Sequence, residues 1–263
     1  MSNASHITDI QRQYEMAAGS WDGRVVLVTG ATGGLGSALC HSLGQAGATV
    51  VLMGRHRGRL ETLYDELVEA GAPEPAMIEQ DFNKTTPEIL QGTVDVVAQN
   101  FSRLDALVHT AATLGELAPV QVIDDTQWRD VFDVNLHAAR DLTMASLPLL
   151  RRTANASVVF TLDDHTSAYW GAYGVSKAAL KALTQMMADE TDNVVDDNKH
   201  PLVSIQGIQP GPMRTRLRRR AFSGELEHES PLANEYVGTY MYVLDRVEPN
   251  ISGKLWIQPL DGV

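Results

Sequence analysis

Tyr173 and Lys177 stand four apart in WGAYGVSKAAL, a spacing that stacks a phenol and an ammonium on one face of a helix. A phenol so placed can give a proton to a carbonyl oxygen or take one from a hydroxyl. Its ordinary pKa of about 10 calls for a neighbouring cation near neutral pH, which Lys177 would supply one turn on. A surface pair on an amphipathic helix is the plainer reading of the same spacing.

A second group of residues could bind phosphate. Thr29-Gly30-Ala31-Thr32-Gly33-Gly34-Leu35-Gly36 follows an apolar run and precedes a helical one. Glycines there permit a tight turn, let a pyrophosphate approach the backbone, and leave the N-H groups of a helix start free to bind it. An ordinary strand-to-helix turn is the alternative. The next apolar run ends Gly54-Arg55-His56-Arg57. A carboxylate at that point would hold two ribose hydroxyls, whereas arginine suits a 2'-phosphate, so the pattern favours NADP over NAD. Both arginines could instead be solvated residues at a helix start.

The elements that must position these groups are legible as an alternation of apolar runs and helical periods. The runs RVVLVT, ATVVLM, PAMIE, LDALVH, ASVVFT, LVSIQGI and GKLWI predict about seven strands, continuously apolar as in a buried parallel sheet. Helical candidates lie at about 34 to 46, 57 to 70, 86 to 101, 125 to 150, 171 to 190 and 231 to 245. In the fourth, Asn135 interrupts an apolar stripe that includes Val131, Ala138 and Leu142. The expected architecture is α/β: a Rossmann-type doubly wound sheet with helices on both faces. Residues 21 to 263 would form one domain, preceded by an arm, residues 1 to 20, that is frayed or serves as an oligomer contact.

Composition narrows the function classes. Hydrophobic residues at 44% can build a core, and 21 basic against 33 acidic side chains give a net charge of -12. Such a charge repels nucleic acid and anionic membrane surfaces at long range. The single cysteine, Cys40, cannot pair within the chain, no apolar run is long enough to span a bilayer, and no leader-like segment opens the sequence, so a cytoplasmic location is expected.

Taken together, Thr-Gly-x-x-x-Gly-x-Gly at 29 to 36, Asn135, Tyr173-x-x-x-Lys177 and Pro210-Gly211-x-x-x-Thr215 resemble the short-chain dehydrogenase/reductase family over about residues 22 to 258. Within it, the segments GRVVLVTGATGGLG, VVLMGRHRGRLETL and RLDALVHTAATLGELAPV look most like the bacterial YciK-type oxidoreductases. The resemblance implies that Tyr173 is the acid/base and that Lys177 supports it and holds the nicotinamide ribose. Asn135 would hold a water on a proton path to that lysine. It implies cofactor contacts from Gly30, Thr32, Gly33, Gly34, Leu35 and Gly36, from Asp81 and Phe82 toward adenine, and from Thr110, Ala111, Pro210, Gly211 and Thr215. Homodimers or homotetramers paired through the long fourth and fifth helices are also implied, with Leu180, Leu183 and Met187 available for such a face or for the core.

Two departures from the family pattern stand at the reaction centre. The family's serine lies about thirteen residues before the tyrosine, and counting back from Tyr173 reaches Phe160, inside a strand. The loop must be about three residues shorter, and aligning the strands puts Asp163 in the serine's place. A carboxylate accepts where a carbonyl needs a donor, and it opposes ionisation of Tyr173 by roughly 4 kcal/mol at about 4 Å and an effective dielectric near 20. Asp163 could be protonated, could turn away, or could leave the donor role to Thr166 or Ser167, and the last is favoured. The second departure is His109-Thr110-Ala111-Ala112 in place of Asn-Ala-Gly, where alanine lacks glycine's freedom at positive φ.

Asp163-Asp164-His165 does not look like a metal site, since neighbouring residues on an extended chain point apart and no further His or Cys joins them. His200 and His228 read as surface residues. The arginine-rich run from Arg214 to Arg220 either attracts an anionic substrate or the cofactor phosphates, or forms a solvated helix balanced by Glu225, Glu227 and Glu229. Two functions fit: an oxidoreductase interconverting a small carbonyl and a secondary alcohol with NADP(H), and a non-catalytic dinucleotide-binding sensor or interaction protein with a degenerate site.

Overall fold

Strands whose side chains are buried on both faces need helices on both faces, and this dictates the layers. In the computed structural model, which describes residues 4–191, 203–247 and 252–259, eight strands form one all-parallel sheet. They are β1 (Ala4–His6), β2 (Val25–Thr29), β3 (Thr49–Gly54), β4 (Ala76–Glu79), β5 (Ala106–His109), β6 (Ala156–Thr161), β7 (Val203–Gln209) and β8 (Leu255–Ile257). Their order is β1-β8-β7-β6-β5-β2-β3-β4. The chain runs outward from β2 to β4, returns to β5 beside β2, and runs outward the other way. That reversal opens a crevice at the carboxyl ends of β2 and β5.

The helices are α1 (Asp9–Arg12), α2 (Gly34–Gln45), α3 (Arg57–Glu69), α4 (Pro87–Phe101), α5 (Asp125–Phe132), α6 (Ala138–Leu150), α7 (Gly171–Thr191), α8 (Arg216–Ala221) and α9 (Val237–Leu244). Two apolar cores lie on the two sides of the sheet. One joins Leu39 and Leu43 of α2, Leu60 of α3 and Tyr240 of α9 to Val26 and Val28; the other joins Leu90 of α4, Leu142 of α6 and Leu180 of α7 to Leu27 and Leu107.

Three details depart from the patterning. The eighth strand comes from the arm: β1 pairs with β8, Ile7 N donates to Ile257 O at 2.8 Å, and Ile7 and Trp21 are buried. Three residues held by backbone hydrogen bonds leave no periodic signal, so the strand is not legible in a segment, residues 4 to 20, in which only Ile7 and Gln11 are buried. The expected helix at 125 to 150 is broken by a π turn, Asp133–His137, that carries Asn135. The helix expected from 231 begins instead as a 3-10 turn, Ala233–Tyr236, ahead of α9. Leu180 and Met187 are buried in the core and Leu183 packs against it, so these residues do not form a free face.

Candidate active site

The crevice is a cleft of about 1320 Å³ lined by the glycine turn, the ends of β3 to β7, α7 and α8. Close packing explains the glycines. Gly30 has φ of 65°, and a Cβ there would lie 2.7 Å from Ala111 N; a Cβ on Gly36 would lie 2.3 Å from Gly30 O. Thr110 Oγ1 donates to Thr29 O at 2.7 Å, and Ala111 N donates to Thr29 Oγ1 at 3.3 Å, tying β5 to this turn. Ala112 is not among the residues with positive φ, so alanine is tolerated in glycine's place. The N-cap of α2, Gly33, offers no side-chain oxygen and the first turn carries no acid, leaving its N-H groups available to an anion. This cradle fits a dinucleotide pyrophosphate.

Beside the glycine turn, Arg55 lines the cleft, and its Nε donates to His56 at 3.2 Å. Arg57 does not line it and pairs with Glu61 at 2.8 Å on the surface of α3. Arg59 lines the cleft instead, just beyond the two arginines that the sequence pattern singles out. Arg57 and Arg59 are two apart at a helix start, so they point to different sides, and only Arg59 shares the cleft with Arg55. Asp81 also lines the cleft while capping the turn Phe82–Lys84 through Asn83 N, and Phe82 is buried beside it. Thr32, Gly33, Gly34, Leu35, Pro210, Gly211 and Thr215 all line the same cleft, and Thr215 caps α8 through Arg218 N at 3.2 Å.

Tyr173 and Lys177 share the buried face of α7 and line the cleft together. Lys177 Nζ donates to Thr161 O at 2.9 Å. The Tyr173 hydroxyl donates to Asp163 Oδ2 at 2.6 Å, so the carboxylate expected in the serine's place faces the phenol. Asp163 Oδ1 accepts from Asp164 N at 2.8 Å and from His165 Nδ1 at 2.6 Å. Burial pushes the Tyr173 phenol well above its ordinary value, and the charge and hydrogen bond of Asp163 push the same way. Lys177 is pulled down to about 8 by burial, against the attraction of Asp163. For Asp163 itself, burial acts upward but is outweighed by the hydrogen bonds of His165 and Tyr173 and the neighbouring positive charge, which hold it below the ordinary carboxylate range.

Thr166 and Ser167, the favoured donors, are exposed and stand outside the cleft lining. The shortened loop explains why. It lies directly on α7, where a Cβ on Gly174 would sit 2.1 Å from His165 O, and it turns through Tyr169 at φ 73° and Gly171 at φ 38°. This course points Asp163 and His165 inward and carries residues 166 and 167 over the rim. Asn135 is buried, with Oδ1 accepting from Thr113 N at 2.8 Å and Nδ2 donating to Thr113 O and Ser176 Oγ, both at 3.0 Å. Its side chain braces the segment after β5 against α7.

His165 lies against Trp170, ring centroids 3.8 Å apart, and Trp170 also neighbours Tyr173 and Phe222. The Asp163 to His165 spacing of two was the available signal for this pair, since alternate residues of an extended segment share a side. The arginine-rich run divides. Arg214, Arg216, Arg218 and Arg219 line the cleft, Arg218 while bound to Glu225 at 2.6 Å and seated over Phe222, whereas Arg220 stands outside the lining and donates to Gly115 O. His228 is exposed, and His200 lies outside the described residues. Among the described residues no three His, Cys, Asp or Glu side chains converge as metal ligands.

Comparison with known proteins agrees with this geometry. Residues 24–226 match the family described as short chain dehydrogenase. The oxidoreductase YciK of Escherichia coli K12 is 32% identical over 224 residues, covering 84% of this chain and 86% of that protein. A short-chain dehydrogenase structure from Pseudomonas syringae superposes with a TM-score of 0.87 at 34% identity, covering 93% of this chain and 98% of that one. One from Shigella flexneri 2a, solved in complex with NADP, gives 0.85 at 29% identity and covers 92% and 99%.

Proposed function

The chain is an oxidoreductase of the short-chain dehydrogenase family, and from that premise we propose that it interconverts a small carbonyl and a secondary alcohol with NADP(H), using Tyr173 as acid/base. The observation that carries this reading is the placement of Tyr173 and Lys177 on the buried face of α7, inside the cleft whose far end is the glycine turn. NADP(H) supplies or accepts the hydride. The chain would hold it through the open N-H groups of α2, the glycine turn, Thr110, Ala111, Pro210, Gly211 and Thr215, with Asp81 and Phe82 at the adenine end. Arg55 and Arg59 would meet a 2'-phosphate, and the absence of any carboxylate at the end of β3 favours NADP over NAD.

Tyr173 moves the proton at the substrate oxygen. Lys177 adds positive charge beside it, and Asn135 keeps the loop at Thr113 and helix α7 in register. We further place the enzyme in the cytoplasm, consistent with its one buried thiol, Cys40, and propose a homodimer that pairs α6 and α7 through exposed Met144, Val175 and Met186. No helix of the described residues is long and apolar enough to cross a membrane.

The test pairs binding with turnover. NADPH should quench or shift in fluorescence on saturable binding, NADH should bind more weakly, and Tyr173→Phe should bind NADPH normally while losing turnover by about a hundredfold or more. Equal turnover by Tyr173→Phe and the parent would sink the mechanism. One observation favours a second reading: the Tyr173–Asp163 hydrogen bond deprives the phenol of the donor it would find in a serine. A non-catalytic sensor predicts NADPH binding with no turnover of any carbonyl or alcohol.

A further inference from the structure

Resting on the alcohol–carbonyl reading, we propose that Asp163 is a catalytic base acting through Tyr173, positioned by His165, and that this sets the site toward oxidation of a secondary alcohol. The geometry is a continuous line of short hydrogen bonds. Tyr173 donates to Asp163 Oδ2 at 2.6 Å, and His165 Nδ1 meets Oδ1 at 2.6 Å. A carboxylate only accepts, so Nδ1 carries the hydrogen and fixes which oxygen is turned to the phenol. The other groups facing Asp163 are Lys177 from α7, bound to Thr161 O, and the backbone N-H of Asp164. The Asp163 side chain is 27% exposed, so it can exchange its proton with water, while Tyr173 is buried.

Atoms and charges balance. The alcohol carbon gives its hydride to the oxidised cofactor, NADP+, and the alcohol O-H bond breaks. Its proton bonds to Tyr173 Oη as the original phenolic O-H bond breaks and that proton bonds to Asp163 Oδ2. The phenol begins and ends neutral, which removes the need for a phenolate in a site that opposes one. Asp163 then releases the proton to water. In the reverse direction the carboxyl must first be protonated, so reduction is disfavoured near neutral pH. His165 acts by holding Asp163 ionised and is therefore a positioning residue.

The experiment uses the purified protein with 1-phenylethanol and NADP+, and with acetophenone and NADPH, substrates chosen to suit the aromatic lining of Trp170 and Phe222. Asp163→Asn should keep NADPH binding and lose alcohol oxidation by about a hundredfold or more. Formate should restore part of the rate to Asp163→Ala but not to the parent. Asp163→Ser, which places a donor beside the substrate oxygen, should raise ketone reduction while oxidation falls, a crossing that loss of structure does not produce. His165→Phe should move the acidic limb of the oxidation profile to higher pH, because Asp163 loses a bond that holds it low. If turnover requires Tyr173 but proceeds at the parental rate in Asp163→Asn, the base assignment is wrong and the function stands. If the parent binds NADPH and converts neither substrate, the functional reading falls and the base assignment falls with it.

Discussion

Asp163, which aligning the strands puts at the serine position that the family resemblance implies, presents an acceptor to the Tyr173 hydroxyl, and burial together with its charge and hydrogen bond raises that phenol. The sequence made the missing serine visible, and it also carried the electrostatic conflict with Tyr173. It did not carry the choice among donors, because whether Thr166 or Ser167 turns inward depends on the path of a loop that rests on Gly174. At the cofactor end the same division holds. Arg55 was readable from the absence of an acid after β3, but its partner in the cleft is Arg59 and not Arg57, which is spent on Glu61. Arg55→Ala should weaken NADPH by about tenfold or more, given roughly 1.5–3 kcal/mol for a hydrogen bond to a charged group, and leave NADH unchanged. Parallel titrations decide it, and an equal loss for both cofactors would assign Arg55 a role other than phosphate recognition.

Individual strands and helices carry their own titration behaviour. His109 at the end of β5 is fully buried, stacked on Phe160 with ring centroids 4.8 Å apart, and bonded to Thr143 Oγ at 2.9 Å. Thr143 already donates to Ala139 O, so His109 Nε2 is the donor to Thr143. Burial, with a smaller push from Lys177, lowers its pKa to about 3. A folded-state pKa below the unfolded one contributes stability that is present above pH of about 6.5 and lost as pH falls toward the folded value. His109→Gln, which keeps a donor for Thr143, should therefore flatten the fall in stability between about pH 6.5 and 3, an effect of order a few kcal/mol. Urea unfolding midpoints across that range measure it, and an unchanged slope would contradict the assignment. The π turn Asp133–His137 is another element-level feature that periodicity could not show, since Asn135 on an apolar stripe signals a buried amide but not the register change that hands it to Thr113 and Ser176.

Across the whole molecule, the parallel sheet gathers residues from Arg12 to Pro259 into one cleft and leaves an edge and exposed helix faces to manage. One edge is extended by β1, and the faces of α6 and α7 retain exposed Met144, Val175 and Met186. If these residues pair two copies, Met186→Glu should convert a dimer to a monomer in sedimentation velocity while preserving NADPH affinity; a parent that sediments as a monomer at tens of micromolar would exclude the pairing. The division between sequence and structure follows from range. Sequence alone determined what depends on neighbours along the chain: seven of the strands, the glycine turn, the one-face spacing of Tyr173 and Lys177, and the absence of an acid after β3, because hydrophobic period and turn chemistry are local. Only the tertiary structure decided the eighth strand from the arm, the choice of Arg59, and the turn of Asp163 and His165 toward the phenol. These depend on backbone pairing and on loop packing between segments distant in sequence, where no repeating pattern of side chains marks the contact.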